Sequence, residues 1–260
     1  MQNLDPSVCV KEHPTLVVDS RDNRSYYIQR LLDNKCWMIQ NLRLGQDLEP
    51  VTGALILTDQ DTNISTEDAY NPRKEFVLTN KLVEGKMPSK KVDDPLASGE
   101  IGTIWDDSAF YCTSYGCYYN FYTVTAGINA EGDETVTGEV NITTTICPKG
   151  WTLPTGNKTA SDTSDLKILA SAYAYQPAKI IVNPNSATEN INGASTPGFT
   201  LGGNYHANGA YHVGQSGDYW TRSNFSKSYA HDLYFSSSVI YYTNRHTKDN
   251  GRSVRCLLQE

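Results

Sequence analysis

The sequence lacks a long hydrophobic run and has no excess of positive charge. A membrane helix needs about 18 consecutive apolar residues, and no stretch approaches that length. Lys and Arg number 22 against 29 Asp and Glu, so the net charge is -7 and the pI is about 5.3. Because phosphate binding needs clustered Lys and Arg, we expect no nucleic-acid partner. The polar residues 1–6 do not resemble a signal peptide, so membrane attachment is expected only through a missing leader or anchor.

Motifs of catalysis and cofactor binding are also absent. The sequence has no GxSxG, HExxH, P-loop or Gly-rich dinucleotide motif. Ser228, His231 and Asp232 form a crowded local group that is more typical of a surface strand than of a catalytic triad. The aspartates at 59, 61 and 68 lack the Gly and Glu of a calcium loop, and the histidines are scattered. We therefore predict no enzyme activity, no cofactor and no metal site.

Cysteine is present in an even number, six. In a loop-rich chain this favours disulfides and an oxidising compartment, and buried free thiols are the alternative. Many pairings are possible. We favour bonds between the two sequence-adjacent pairs and a third that ties the closing segment to the middle of the chain: Cys9–Cys36, Cys112–Cys117 and Cys147–Cys256.

The composition predicts a modest core and extensive loops. Hydrophobic residues make up 38%, mean hydropathy is -0.49, and the chain has 19 Gly, 11 Pro and 17 Tyr. Residues 16–44 predict three strands separated by turns. Residues 118–126 fit a helix or a strand, and Ser161 to Tyr175 give the best helical pattern, with Asp162 and Thr163 as caps. Residues 46–104 show no periodicity, so we expect an irregular insertion in a single domain, 1–260.

The segment 217–256 differs from the rest in its residue types. Leu233 and Phe235 alternate with Asp232 and Tyr234, which predicts a strand with the first pair inward and the second outward. The remainder is rich in Tyr, Ser, Asn, His, Thr and Arg. These residues build core poorly but suit binding, because Tyr gives large contact area and Ser and Asn give adaptable hydrogen bonds. This segment is therefore predicted to display a ligand-binding face.

Several motifs in order resemble a known family, the Fibrobacter succinogenes major paralogous domain, found on bacterial cell surfaces. The matching segments are residues 17–22 (VVDSRD), 36–42 (CWMIQNL), 146–154 (ICPKGWTLP), 219–220 (YW) and 253–256 (SVRC). The insertion at 46–104 is not covered. The opening, residues 1–9, is similar to the mature start of surface proteins in small, host-dependent bacteria of the candidate phyla radiation.

The resemblance implies an α+β, C-type-lectin-like fold with an irregular antiparallel sheet, few helices and long loop insertions. It implies a secreted or cell-surface binding protein whose partner is a protein or glycan on another cell or virus. Some members of this fold are variable proteins of diversity-generating retroelements, in which template adenines mutate so that Asn codons become many residues. The expected ligand-binding residues are Tyr219, Arg222, Asn224, Phe225, Asp232, Tyr234, Tyr241, Tyr242, Asn244, Arg245, His246 and Arg252.

Two other functions remain open at this stage. A structural cell-envelope or pilus-associated module would pack the same Tyr-rich face on a neighbouring subunit. A formylglycine-generating type of enzyme, which the fold class includes, needs two nearby reduced cysteines. Only Cys112 and Cys117 are placed to serve, and their short spacing suits a structural loop equally well.

Overall fold

Antiparallel strand pairing dominates the protein, which we describe from a computed structural model. The structure describes residues 1–48, 53–66, 74–79, 110–113, 115–127, 136, 138–156, 163–181, 197–206 and 209–260. The coarse expectation of antiparallel sheets with few helices is confirmed. Among these residues, no helix has both the length and the apolar character that a membrane crossing requires.

A five-stranded sheet joins the two ends of the chain. Its strand order is β1-β2-β3-β15-β9, so the last strand lies between an early strand and a middle one. Leu257 pairs with Trp37 on one side and with Thr152 on the other. The strands are β1 (Thr15–Asp19), β2 (Arg24–Arg30), β3 (Cys36–Met38), β9 (Trp151–Thr152) and β15 (Leu257–Leu258).

A four-stranded sheet carries most of the predicted display segment. Its order is β14-β13-β12-β8, which leaves β14 at one edge. Its strands are β8 (Val140–Asn141), β12 (Ser216–Asn224), β13 (Tyr229–Ser236) and β14 (Ile240–Thr247). Leu233 and Phe235 are buried, as the alternation predicts.

The described residues also form three hairpins: β4 (Ala54–Thr58) with β5 (Glu75–Thr79), β6 (Phe110–Thr113) with β7 (Gly116–Tyr119), and β10 (Asn204–His206) with β11 (Gly209–Tyr211). The first hairpin falls inside the region predicted to be irregular. Leu57, Phe76 and Leu78 bury their side chains in the larger core cluster, so the expectation of an irregular chain is wrong for these two strands. The pattern was missed because apolar and polar residues do not alternate in β4, where the apolar Ile56 is exposed beside the buried Leu57. Residues 80–104 lie outside the described residues.

The helices are short: α1 (Phe121–Val124), α2 (Asp165–Ala172) and α3 (Pro177–Ile180), with a 3-10 turn at Pro6–Val8. The helix α2 confirms the prediction for this region and buries Leu166, Leu169 and Ala170. Its cap is Ser164, whose side chain accepts a hydrogen bond from the Lys167 backbone N–H, and not Thr163. Asp162 lies outside the described residues. Residues 118–126 contain both expected structures, because β7 ends where α1 begins.

Two clusters of buried side chains hold the sheets together. The larger contains Trp151 and Trp220, and the smaller contains Trp37 and Phe235. Disulfides join Cys9 to Cys36, Cys112 to Cys117 and Cys147 to Cys256, as predicted. The third bond closes the longest loop, 109 residues in sequence separation. Three disulfides indicate that the protein belongs in an oxidising environment.

Candidate functional site

Strand register decides which face of the four-stranded sheet each predicted residue occupies. Asp232 lies opposite Asn244 and Tyr234 opposite Tyr241, with an irregularity between these two pairs. Directly opposed residues of an antiparallel pair share a face, so these residues share one. His231 lies opposite Arg245, on the other face. The predicted set is therefore divided between the two faces.

Four of the predicted ligand residues are buried rather than exposed: Tyr219, Asn224, Asp232 and Arg252. The expectation that Asp232 points to solvent is wrong. The alternation along β13 correctly places Asp232 and Leu233 on different faces of the sheet, but the face that carries Asp232 is covered by other parts of the chain. Trp220, beside Asp232 in the sheet, donates its indole N–H to the Tyr119 carbonyl at 2.7 Å, and Arg252 pairs with Tyr119 through the backbone. A period-two pattern indicates which face a residue occupies but cannot show that a later loop covers that face.

Tyr219 is a core residue. Its ring stacks on Phe235 with centroids 5.8 Å apart and meets Phe199 edge-on at 4.8 Å. Its hydroxyl accepts a hydrogen bond from the Thr200 backbone N–H at 3.0 Å. Tyr219 therefore fixes β12 against the smaller core cluster and has no surface to offer a ligand.

A buried charge cluster lies on the face of the sheet that carries Asp232 and Tyr234. Arg252 donates from Nε to Asp232 at 2.8 Å, its Nη2 lies 3.8 Å from Asp218, and its guanidinium lies 4.8 Å from the centre of the Trp220 ring. His246 Nδ1 lies 3.0 Å from Asp232. Burial would raise the pKa of the Asp232 carboxyl, but Arg252 and His246 hold that pKa below its usual value.

The same cluster places donor atoms of Asp218, Asp232 and His246 within 4.8 Å of one another, close enough for a metal ion. Arg252 lies against both carboxylates, 2.8 Å from Asp232 and 3.8 Å from Asp218, so its charge already balances one of the two negative charges. A buried ion pair of this kind fixes geometry more than it adds stability. The cluster is therefore a support for β13 and β14.

The accessible predicted residues lie along the edge strand β14 and the turn beside it. Tyr241 is 55% exposed and stacks on Tyr234, with centroids 5.8 Å apart. The Arg245 guanidinium lies 4.1 Å from the centre of the Phe225 ring. Asn244 and His246, both half-buried, lie on the same face as Tyr234. This accessible set, which we call the edge face, lies on both faces of the sheet at its β14 edge and comprises Phe225, Tyr234, Tyr241, Asn244, Arg245 and His246.

Two further predicted residues border the edge face. Tyr242 is half-buried against the smaller core cluster and lies 6.0 Å from Tyr175, an exposed side chain that sequence analysis did not select. Tyr175 follows helix α2, and no sequence pattern connects it to a strand 67 positions later. Arg222 is half-buried, and burial lowers its pKa despite the opposing charge of Asp165.

A small polar cavity beside β8 was also missed. It has a volume of about 160 Å3 and is lined by Glu139, Val140, Asn141, Ser223, Asn224 and His231. The His231 side chain is 1% exposed, and its Nε2 lies 3.4 Å from a Glu139 carboxylate oxygen. Burial lowers the pKa of the His231 imidazole, although Glu139 opposes this effect. No spacing motif links residues 139 and 231, so only the paired strands bring them together.

These features define a class: a disulfide-linked, mostly antiparallel domain with an aromatic and Arg-bearing sheet edge. Comparison with protein-family models then identifies the family. The chain belongs to the Fibrobacter succinogenes major domain family, whose model matches residues 32–257. No curated protein and no solved structure matches the chain.

Proposed function

We propose that the protein is a secreted or cell-surface binding protein whose ligand contacts the edge face. The observation that carries the proposal is the contrast in exposure between residues of the paired strands β13 and β14. Tyr241 and Arg245 are exposed on the edge strand β14, on opposite faces of the sheet, while Asp232, on the same face as Tyr241, is fully buried and ion-paired with Arg252. Exposed aromatic and Arg side chains on a rigid support are the residues that most often dominate binding interfaces.

The edge face offers two kinds of contact. Stacked Tyr234 and Tyr241 supply flat apolar area with hydroxyls at the rim. Arg245, placed over the Phe225 ring, supplies a charged donor that is already held in position. Because no strand among the described residues pairs with the outer side of β14, its backbone groups add hydrogen-bonding capacity. A protein or glycan on another cell or virus is the ligand class that fits this mixture.

The proposed fold is the C-type-lectin-like one, with the last strands forming the ligand face. Support comes from the chain's two ends meeting in one sheet, where β15 lies between β3 and β9. The Cys147–Cys256 bond holds the closing segment to the middle of the chain. This arrangement keeps the segment 217–256 fixed whatever its exposed side chains are.

We further propose that a diversity-generating retroelement varies the edge face. Asn codons altered at their adenines cannot give Lys, Trp, Gln, Glu or Met. Between Asp218 and Arg252 only Trp220, Lys227 and Lys248 belong to these excluded types. Trp220 and Lys248 are buried, so two of the three are framework residues. The exposed residues of the edge face are all of types that such mutation reaches.

Sequencing the DNA beside the gene tests the diversification. The expected result is a near-copy of the last codons, with adenines at the edge-face positions, next to a reverse transcriptase gene. Sequencing many gene copies from one population supplies a second readout. Identical codons for Tyr234, Tyr241 and Arg245 in every copy, with no such repeat nearby, would contradict the proposal.

Binding is tested with labelled protein offered to intact bacterial cells of several species and to printed glycans. Three versions are compared: the native chain, a triple variant with Tyr234→Ser, Tyr241→Ser and Arg245→Ser, and a matched control. The control is Leu16→Ser, Val18→Ser and Ile56→Ser, which changes three exposed apolar side chains on β1 and β4. We expect binding by the native chain and the control, and loss of binding by the edge-face variant. Equal binding by all three, or binding by none, would overturn the proposal.

Two alternatives are distinguished by the same samples. A structural envelope or pilus module would self-associate, so sedimentation of the native chain would depend on concentration and the edge-face variant would remain monomeric. A formylglycine-generating type of enzyme requires reduced cysteines, whereas disulfides take up all six cysteines here. Titration of two reactive thiols in the native protein would favour that enzyme.

A further inference from the structure

The face of the four-stranded sheet against which helix α2 packs also carries accessible aromatic and basic side chains. Arg245 lies opposite His231 in the strand register, and alternation along β13 places His231 on the same face as Leu233. Tyr242 packs against the smaller core cluster, which contains Leu233 and the buried leucines of α2. Arg245 and Tyr242 therefore share this face, which we call the α2 side of the sheet.

Helix α2 ends beside this face and adds a second exposed aromatic ring. Tyr175 is 46% exposed, and its ring centre lies 6.0 Å from that of Tyr242. The backbone of Ala174 and Tyr175 is left-handed, with φ of 55° and 54°. Because neither residue is Gly or Asn, both conformations are strained, and strain of this kind is concentrated at functional sites. The strained turn places the Tyr175 ring against Tyr242.

The Arg245 guanidinium is held in position but has no carboxylate partner among the described residues. It lies 4.1 Å from the centre of the Phe225 ring, and that ring meets His231 edge-on with centroids 5.5 Å apart. Arg30 and Arg252, by contrast, are ion-paired with carboxylates. A guanidinium that lies over a ring keeps the N–H groups along its edge available, and these groups match the paired oxygens of an anionic group.

Given the proposed binding function, on which this inference rests, we propose that the α2 side of the sheet binds an acidic glycan, a sugar chain that carries carboxylate or sulfate groups. Arg245 binds the acidic group, and Tyr175 and Tyr242 contact the apolar face of a neighbouring sugar ring. Residues 242 and 245 are three positions apart, at most about 10 Å along a strand. A disaccharide spans a distance of this size.

The position of these side chains favours a glycan over an acidic peptide. An extended peptide joins a sheet through the backbone of its edge strand. Tyr242 and Arg245 instead project from the face of the sheet, and Tyr175 approaches that face from the end of α2. A ligand that contacts all three must lie across the face, where flat sugar rings stack on the aromatic side chains.

Charge also restricts the ligand. The net charge of -7 repels polyanions in general, so an acidic ligand needs a specific positive group, and Arg245 supplies it. Glu139 opposes that group, since its carboxylate lies 3.4 Å from His231 Nε2. The charges of Glu139 and Arg245 both act on the His231 ring, with opposite effects. Removing the Glu139 charge is therefore expected to tighten the binding of an acidic ligand.

The test uses printed glycans in matched pairs. Each acidic glycan is printed beside its neutral form, in which carboxylates are methyl-esterified or sulfates are removed, and polyglutamate is printed as the acidic peptide. We expect the native chain to bind acidic glycans and to bind their neutral forms at least about tenfold more weakly, because hydrogen bonds to a charged group are lost.

Variants of Arg245 assign the contact with the acidic group. Arg245→Gln should lower the affinity for each acidic glycan to that for its neutral form. Arg245→Lys should restore the affinity only in part, because Lys lacks the planar fork of N–H groups. Lys11→Gln is the matched control: it removes one positive charge from an exposed position near the start of the chain and should bind as the native chain does.

Two further variants test the remaining contacts. Tyr175→Asn should weaken the binding of acidic and neutral forms by the same factor, because Asn accepts a left-handed backbone and only the ring contact is lost. Glu139→Gln should tighten the binding of acidic forms alone, by less than about tenfold, since it removes a charge near the surface.

The outcomes separate this inference from the proposed function. Binding to bacterial cells without binding to any acidic glycan would overturn the glycan assignment and leave the binding function standing. Tighter binding to polyglutamate than to every glycan would do the same. Unchanged affinity in Arg245→Gln, or an equal loss in Lys11→Gln, would show that Arg245 does not bind the acidic group. Absence of binding to cells and to all printed ligands would overturn both proposals.

Discussion

At the scale of single residues, the same side-chain types serve opposite purposes in this protein. Tyr219 is buried against two aromatic rings, whereas Tyr241 is 55% exposed. Arg252 neutralises a buried carboxylate, whereas Arg245 lies at the surface over a single ring. Residue type alone therefore cannot separate framework from binding face in a segment rich in Tyr and Arg. What separates them is which strand position each occupies and what covers it.

Lys248 is a buried residue whose charge has little compensation from its described surroundings. It is 1% exposed, and its ammonium group lies 5.5 Å from the centre of the Phe121 ring without a hydrogen-bond partner in the described part of the chain. Burial lowers its pKa to about 7. The folded state therefore binds the proton less tightly than the unfolded state, in which an ordinary Lys has a pKa of about 10.4.

This difference predicts how stability depends on pH. Between about pH 7 and pH 10 the unfolded state binds more protons, so the free energy of unfolding rises with pH by up to about 1.4 kcal/mol per unit. Below pH 7 the penalty of the buried charge is fully present. We expect Lys248→Met to raise stability at pH 7 and to flatten this dependence, as measured by urea unfolding at pH 7 and pH 9. The exposed Lys179→Met is the control, and an identical pH dependence in both variants would show that Lys248 is not the cause.

At the scale of elements, the sequence predicts the strands and helices that a local pattern of residues encodes. Strands β1 to β3, helix α2 and the inward pair Leu233 and Phe235 follow from periodicity and turn residues. The β4–β5 hairpin was missed because its buried residues come together only when the two strands pair. The set of residues predicted to face solvent was right in part: its members on β14 are accessible, but Asp232 and Arg252 are covered by distant chain segments. Coverage by distant segments is a tertiary property that no window of sequence contains.

Some side chains of β13 and β14 are buried and others are exposed, so their substitutions should lower the free energy of unfolding by unequal amounts. The triple change Tyr234→Ser, Tyr241→Ser and Arg245→Ser removes one stacked pair and one surface contact, so it should cost no more than about 1.5 kcal/mol. Phe235→Ala removes a fully buried ring that contacts Phe199 and Tyr219, and it should cost about 3–5 kcal/mol. Denaturant unfolding measures both. If the triple variant were the less stable of the two, β14 would be core rather than display.

At the scale of the whole molecule, the fold depends on contacts between residues far apart in sequence. Strand β15 lies between β3 and β9, and the adjacent Cys256 is bonded to Cys147. The edge face lies in the segment between these two cysteines. If side chains of the edge face are to vary, the fold must be held by contacts that do not involve them. The Cys147–Cys256 disulfide is such a contact, because it does not depend on any exposed side chain.

The three disulfides should therefore differ in their contribution to stability. Their sequence separations are 109, 27 and 5 residues for Cys147–Cys256, Cys9–Cys36 and Cys112–Cys117. The chain-entropy model gives about 5, about 3.5 and about 2 kcal/mol for loops of these lengths. We expect the three double Cys→Ala variants to lose stability in that order in denaturant unfolding. The Cys147–Cys256 variant should also lose protection of β15 amides from hydrogen exchange, because that strand follows the bond directly. If the Cys112–Cys117 variant proved the least stable, local packing around that hairpin and not loop closure would determine what each bond contributes.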